Sequence, residues 1–175
     1  IVSNKPFYIN KLNHSENEYL TEEFRVDHTI NNSLPTLLLV EDNNEVRSFI
    51  KSIFEKDNNI LEAENGVVAL EIINDNKIDL VISDVMMPEM DGIKLCENIK
   101  TNISTSHIPV ILLTAKTSEE SKKSAYTTGA DAYITKPFDA NVLEIRVSNL
   151  LKYRKNLVKK FKKELILQPK EVVAT

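Results

Sequence analysis

The chain of 175 residues has no tryptophan, three glycines and a single cysteine. A lone Cys96 excludes an internal disulfide and any cysteine-only metal cluster. It falls in a helical stretch, where a buried, inert thiol is the plainer reading, and such sparing use of cysteine fits a reducing cytoplasm. With so few glycines, none in a phosphate-loop pattern, a P-loop kinase is excluded in practice. No apolar run approaches the roughly 18 residues that span a membrane. The N-terminus lacks the basic-then-apolar order of a secretory signal. Position 1 is Ile, so the chain is expected to be a fragment or processed form of a longer protein. Apolar residues at 42% and charged residues at 27% are those of an ordinary soluble protein, long enough for one cored domain with extensions.

Acidic and basic residues are unevenly spread. The net charge of −4 divides into −2 for residues 1–34, −8 for 35–151 and +6 for 152–175. Residues 1–34 are polar, asparagine-rich and weakly patterned, and Asn31-Asn32-Ser33-Leu34-Pro35 closes them with turn chemistry. His14 and His28 have no partner at ligand spacing and read as surface residues. This segment reads as a linker, 35–151 as an acidic domain and 152–175 as a basic extension.

From Thr36 onward, strand and helix patterns alternate. Thr36–Glu41 reads as a buried strand. Asn44–Lys56 carries Val46, Phe49, Ile50, Ile53 and Phe54 at the spacing of an amphipathic helix. Strands are expected again at Asn59–Ala63, Ile78–Ser83, Pro109–Thr114 and Asp131–Ile134. Helices are expected at Gly66–Asn74, Ile93–Ile99, Glu119–Thr127 and Asn141–Leu151. Five β-α units with strands apolar on both faces predict an α/β fold, a doubly wound parallel sheet covered by helices on both sides. Past Leu151, apolar residues at Leu157, Val158, Phe161 and Leu165 continue the helical spacing until Pro169, which breaks it.

In an open parallel sheet the carboxyl ends of the strands share one edge, and ligands bind in the crevice there. Glu41-Asp42 follows the first expected strand, Asp84 the third and Lys136 the fifth. Three carboxylates and one amine therefore converge, a constellation suited to a divalent cation and a phosphoryl group. Taken alone, each has a plainer reading: Asp84 and Asp42 as helix caps or loop carboxylates, Lys136 as a surface lysine, Thr114 as a β-branched strand residue. Met86, Met87 and Met90 read as loop anchors between Pro88 and Gly92 rather than a soft-metal box.

Four motifs carry a family resemblance: Leu38-Leu39-Val40-Glu41-Asp42; Ser83-Asp84-Val85-Met86-Met87-Pro88-Glu89-Met90-Asp91-Gly92; Val110-Ile111-Leu112-Leu113-Thr114-Ala115; and Gly129-Ala130-Asp131-Ala132-Tyr133-Ile134-Thr135-Lys136-Pro137-Phe138. Over about 36–151 the chain resembles the CheY-like receiver domain of two-component response regulators. The resemblance implies a flavodoxin-like sheet of order 2-1-3-4-5. It implies Asp84 as phosphoacceptor and Mg²⁺ as cofactor, held directly by Asp42 and Asp84, by Glu41 through water and by the backbone carbonyl of Met86. Lys136 would neutralise a phosphoryl oxygen from a cis Lys136-Pro137 bond. Thr114 would offer its hydroxyl, Ala115 would leave room for the phosphoryl group, and Met86 and Lys116 would tune its lifetime.

The same resemblance makes Thr114 and Tyr133 a switch acting on the face of the fourth helix, fifth strand and fifth helix. The phosphoryl donor would be a histidine kinase, in the same polypeptide or another. Asp131 and Arg146 match part of a salt-bridge pattern for a homodimer on that face, while Val142 and Tyr153 stand where charges are expected. Residues 161–169 resemble the linker after the receiver in hybrid sensor kinases that end in an AraC-type DNA-binding domain, so DNA would be met only through an output domain outside this chain. The expected location is the cytoplasmic part of a hybrid sensor, with no membrane contact by this segment. Such a chain is a phosphoacceptor signalling domain, not an enzyme, although it assists its own phosphotransfer and dephosphorylation; kinase activity would belong to the parent protein.

Two other readings remain open. A haloacid-dehalogenase-like phosphatase also uses an aspartyl phosphate and Mg²⁺, but it needs an Asp two residues after the nucleophile, and position 86 is Met. A pseudo-receiver that only binds a partner fits poorly with an intact set of Glu41, Asp42, Asp84, Thr114 and Lys136.

Overall fold

The computed structural model describes residues 33–115 and 129–166. The strands are β1 (Thr36–Val40), β2 (Asn59–Ala63), β3 (Leu80–Asp84), β4 (Val110–Ala115) and β5 (Ala132–Lys136). They form one parallel sheet in the order β2-β1-β3-β4-β5. Around it lie α1 (Asn44–Phe54), α2 (Gly66–Asp75), α3 (Gly92–Thr101) and, after β5, α4 (Ala140–Ile166). The helix expected over Glu119–Thr127 lies outside the described residues, as do residues 1–32.

Strand side chains alternate between the two faces of the sheet, and the sequence divides its apolar residues accordingly. Leu38, Val40, Val81, Val110 and Leu112 pack with Ala69 and Ile73 of α2 and Leu95, Cys96 and Ile99 of α3. Leu37, Leu39, Leu80, Ile82, Ile111 and Leu113 pack with Ile50 and Phe54 of α1 and Leu143 and Val147 of α4. Each fully buried aliphatic side chain contributes about 1.5–3 kcal/mol, so both faces are needed, and the buried Cys96 belongs to this packing.

Local chemistry sets where the helices begin. The Asn43 carboxamide accepts from the N–H groups of Glu45 and Val46, Asn65 from those of Val67 and Val68, and Asp91 from that of Lys94. Each satisfies donors that a helix N-terminus leaves without intrahelical partners. Some bounds differ from expectation. Hydrogen bonding carries β3 through Asp84 and β5 through Lys136, whose partners across the ladder are Leu113 and Ala115. The first helix closes at Phe54, where the Glu55 N–H donates to Lys51 O.

The last helix is unbroken from Ala140 to Ile166. Its inner stripe leaves the sheet at Arg154, whose Nη1 donates to Ile78 O at 3.1 Å, Asp79 O at 2.7 Å and Asp79 Oδ1 at 3.1 Å. Beyond that anchor Leu157, Val158 and Phe161 are exposed. No helix among the described residues is long and apolar enough to cross a membrane.

Candidate functional site

The carboxyl ends of β1, β3 and β5 bring the expected residues together. Glu41 follows β1, and its N–H donates to Ala63 O at 3.1 Å. Its side chain is almost wholly buried, at 3% exposure, yet Lys136 reaches it from the end of β5: Nζ lies 2.8 Å from Glu41 Oε2. The same ammonium lies 3.1 Å from Asp84 Oδ2. Asp84 Oδ1 accepts from the Val85 N–H at 2.8 Å. Asp42 is exposed, and carboxylate oxygens of Glu41, Asp42 and Asp84 all lie within 4.8 Å of one another. Three hard oxygen donors at that spacing, one on a solvent-facing side chain, suit a hydrated hard cation such as Mg²⁺.

The loop after β3 is built around this cluster. The Gly92 N–H donates to Val85 O at 2.9 Å. A Cβ at Gly92 would stand 2.0 Å from the Asp84 carbonyl oxygen, so only glycine fits where α3 starts against the strand end. Ser83 Oγ donates to that same carbonyl at 2.8 Å. Glu89 has φ of 63°, the left-handed region that costs a residue with a Cβ. The Met86 side chain is exposed at the rim, two positions beyond Asp84.

Thr114 stands one residue past Leu113, the register partner of Asp84, and pairs with Thr135. Its hydroxyl donates to Ala115 O at 3.1 Å. Tyr133 pairs with Leu112 across the ladder and packs, half-buried, against the α2/α3 side of the core. The Lys136-Pro137 peptide is cis. Lys116 lies outside the described residues.

Electrostatics tie the buried acid to the amine. Burial pushes the Glu41 carboxyl up; the Lys136 hydrogen bond opposes this, the Asp84 charge adds to it, and the net direction is upward. Burial pushes Lys136 down, but its bonds to Glu41 and Asp84 outweigh that and its pKa is raised. Opposite charges at such range favour both charged forms; for Lys136 this outweighs burial, and for Glu41 burial outweighs it.

Sequence reasoning passed over several contributors. Arg47 of α1 donates from Nη1 to the Glu41 carbonyl, from Nη2 to Asn44 Oδ1, and from Nε to Glu62 Oε2 at 3.2 Å. A basic residue on the polar side of an amphipathic helix carries no signal for such a role. Gly92 was visible only as a turn residue. Asp131, matched to a dimer pattern, bonds within its own chain: Oδ2 accepts from Lys100 Nζ at 2.7 Å and from the Val110 N–H at 2.8 Å.

A parallel α/β sandwich with an acidic cluster and a lysine at the carboxyl edge of its sheet defines a class, and comparison with known proteins gives the family. The model of the response regulator receiver domain matches residues 37–148, and the chain belongs to that family. Histidine kinase P4 of Formosa agariphila is 50% identical over 112 residues, covering 64% of this chain and 8% of that protein. Transcriptional regulatory protein YvrH of Bacillus subtilis is 38% identical over 114 residues, 64% of this chain and 47% of that one. The chain thus spans less than half the length of either curated relative. The signal receiver domain of a signal transduction histidine kinase from Syntrophus aciditrophicus superposes with a TM-score of 0.66 at 32% identity, covering 81% of this chain and 98% of that one.

Proposed function

We propose that this receiver accepts a phosphoryl group on Asp84 from a phosphohistidine of a histidine kinase, with Mg²⁺ as cofactor. The observation that carries the reading is the position of the Asp84 carboxylate, 3.1 Å from the Lys136 ammonium and within 4.8 Å of the Asp42 and Glu41 carboxylates. Asp42, Asp84 and the Met86 carbonyl, with Glu41 beside them, would hold Mg²⁺, which would supply positive charge against phosphoryl oxygens. Asp84 attacks phosphorus in line; the new O–P bond forms as the P–N bond breaks, and the protonated imidazole leaves neutral. Little covalent assistance is needed, so positioning and charge neutralisation carry the rate. Lys136 turns one of its carboxylate bonds toward a phosphoryl oxygen, and Thr114, at the adjacent strand end, offers its hydroxyl.

Thr114 moving toward the phosphoryl group would leave space for the Tyr133 ring and bias the face of β5 and α4. The unbroken α4 supports relay of that change to an output, which we assign to a DNA-binding domain of AraC type outside this chain. On this reading residues 1–34 link a preceding kinase module in a cytoplasmic hybrid sensor, 35–151 are the receiver and 152–175 lead to the output. The likeness to Histidine kinase P4 supports the hybrid arrangement.

The test is intact-mass spectrometry after incubation with acetyl phosphate and Mg²⁺. One phosphoryl group is expected, absent from Asp84→Asn and absent with a chelator. Undiminished labelling of Asp84→Asn sinks the acceptor assignment.

A further inference from the structure

We infer that Arg47 is a positioning residue for the cation site: by holding the peptide between Glu41 and Asp42, it sets where the Asp42 carboxylate stands. This rests on the reading of Glu41, Asp42 and Asp84 as cation ligands. Asp84 is fixed by Lys136 and the Val85 N–H, and Glu41 by Lys136. The Asp42 carboxylate has neither a hydrogen bond nor an ion pair among the described residues. Its place is therefore set by the backbone that carries it.

That backbone is a short turn between β1 and α1. On one side the Glu41 N–H is held by Ala63 O at 3.1 Å; on the other, Asn43 O accepts from the Arg47 N–H at 2.9 Å. Between them, the carbonyl of Glu41 is the acceptor half of the peptide whose rotation would swing Asp42, and Arg47 Nη1 donates to it. The guanidinium is itself fixed by Asn44 Oδ1 and by Glu62 Oε2 of β2. A planar fork meets three acceptors from one side chain, which a lysine ammonium on a flexible stem does not reproduce. Glu62 also pairs with Lys51 at 2.6 Å. Glu62 answers the charge of Arg47, so the turn is ordered without neutralising the acidic cluster that attracts the cation.

The competing role is a brace between α1 and β2, with no bearing on the cation. Calorimetric titration of the chain with Mg²⁺ separates the two, using Arg47→Met, Arg47→Lys and Glu62→Gln. Losing a group that orients a metal ligand typically weakens binding about 10- to 100-fold, and that loss is expected for both Arg47 variants. Glu62→Gln removes the ion pair but leaves the guanidinium on the Glu41 carbonyl, so its Mg²⁺ affinity should stay within about threefold of wild type, well short of that range. In acetyl phosphate labelling, half-saturating Mg²⁺ should rise in the Arg47 variants while the rate at saturating Mg²⁺ is kept. Arg47→Lys retains the charge and the packed stem, so it carries the test should Arg47→Met unfold. Wild-type affinity in a folded Arg47 variant, or an equal loss in Glu62→Gln, overturns the inference. A wild-type chain that binds no Mg²⁺ overturns the cation reading itself, and the role of Arg47 with it.

Discussion

Lys136 donates to the Glu41 carboxylate at 2.8 Å although 95 positions separate them in the chain. One ammonium serves two carboxylates, because Asp84 Oδ2 lies 3.1 Å from the same nitrogen. Removing one member of a buried pair leaves an uncompensated charge, so the amine holds this edge of the sheet together before any ligand arrives.

That pair gives stability a pH dependence with a defined sign. Lys136 is pushed down by burial and raised more strongly by Glu41 and Asp84. The folded chain then holds a proton that the unfolded chain has released. The stabilisation from charged Lys136 is complete below the ordinary lysine pKa and is lost as pH rises through the raised one. Glu41 is raised chiefly by burial, so its contribution to stability grows as pH falls from the raised value to the ordinary carboxylate value. Thermal melts of wild type and Lys136→Met on the alkaline side should converge as pH rises. Melts that diverge there would contradict the coupling.

Gly92→Ala should destabilise the domain by about 3 kcal/mol, at the upper end of ordinary overpacking. The added methyl would meet the Asp84 carbonyl oxygen at 2.0 Å, a backbone atom that cannot turn aside like a side chain. Alanine's better helix propensity offsets at most about 1 kcal/mol. Urea denaturation measures the difference, and a variant as stable as wild type would show that the loop gives way freely.

Glu89→Gly should act in the opposite direction. Relief of the left-handed strain at φ 63° exceeds the added entropy of the unfolded chain, for a gain of about 1 kcal/mol. Glu89→Ala keeps the Cβ and should gain nothing. Differential scanning calorimetry of the two variants distinguishes strain from loss of the Glu89 charge; equal shifts would assign the effect to charge.

The alternation of Leu37 and Leu39 with Leu38 and Val40, and the same pattern in β3 and β4, made the two-faced parallel sheet legible in the sequence. The polar residues ending those runs made the Glu41, Asp42, Asp84 and Lys136 cluster legible too, because strand direction sends all of them to one edge. The ion pair of Lys136 with Glu41, beside the one with Asp84 that the resemblance implies, was not legible, since it depends on side-chain reach rather than spacing. Arg47 was hidden because two of its partners, the Glu41 carbonyl and the Glu62 carboxylate, lie outside its helix, and the third, Asn44 at the i−3 position, marks only an ordinary helix-surface pair. Asp131 looked outward in the sequence because its partner Lys100 stands in α3, and only the fold brings them to 2.7 Å.

Phe49 offers a way to separate the chemistry of the site from docking of the donor. Half its surface is exposed, and its ring lies 6.3 Å from that of Phe138, centroid to centroid. Phe138 follows Lys136 by two positions, so the pair sits just past the end of β5, the strand whose last residue carries the amine that touches Asp84. A large protein donor would cover the pair, whereas acetyl phosphate would reach Asp84 without it. Buried interface aromatics commonly contribute 2 kcal/mol or more to binding, so Phe49→Ala should lower kcat/KM for transfer from a phosphorylated histidine kinase that labels wild type by about 30-fold. Labelling by acetyl phosphate should be unchanged. Equal losses with both donors would indicate damage to the pocket, and full activity with the kinase would place the docking surface elsewhere.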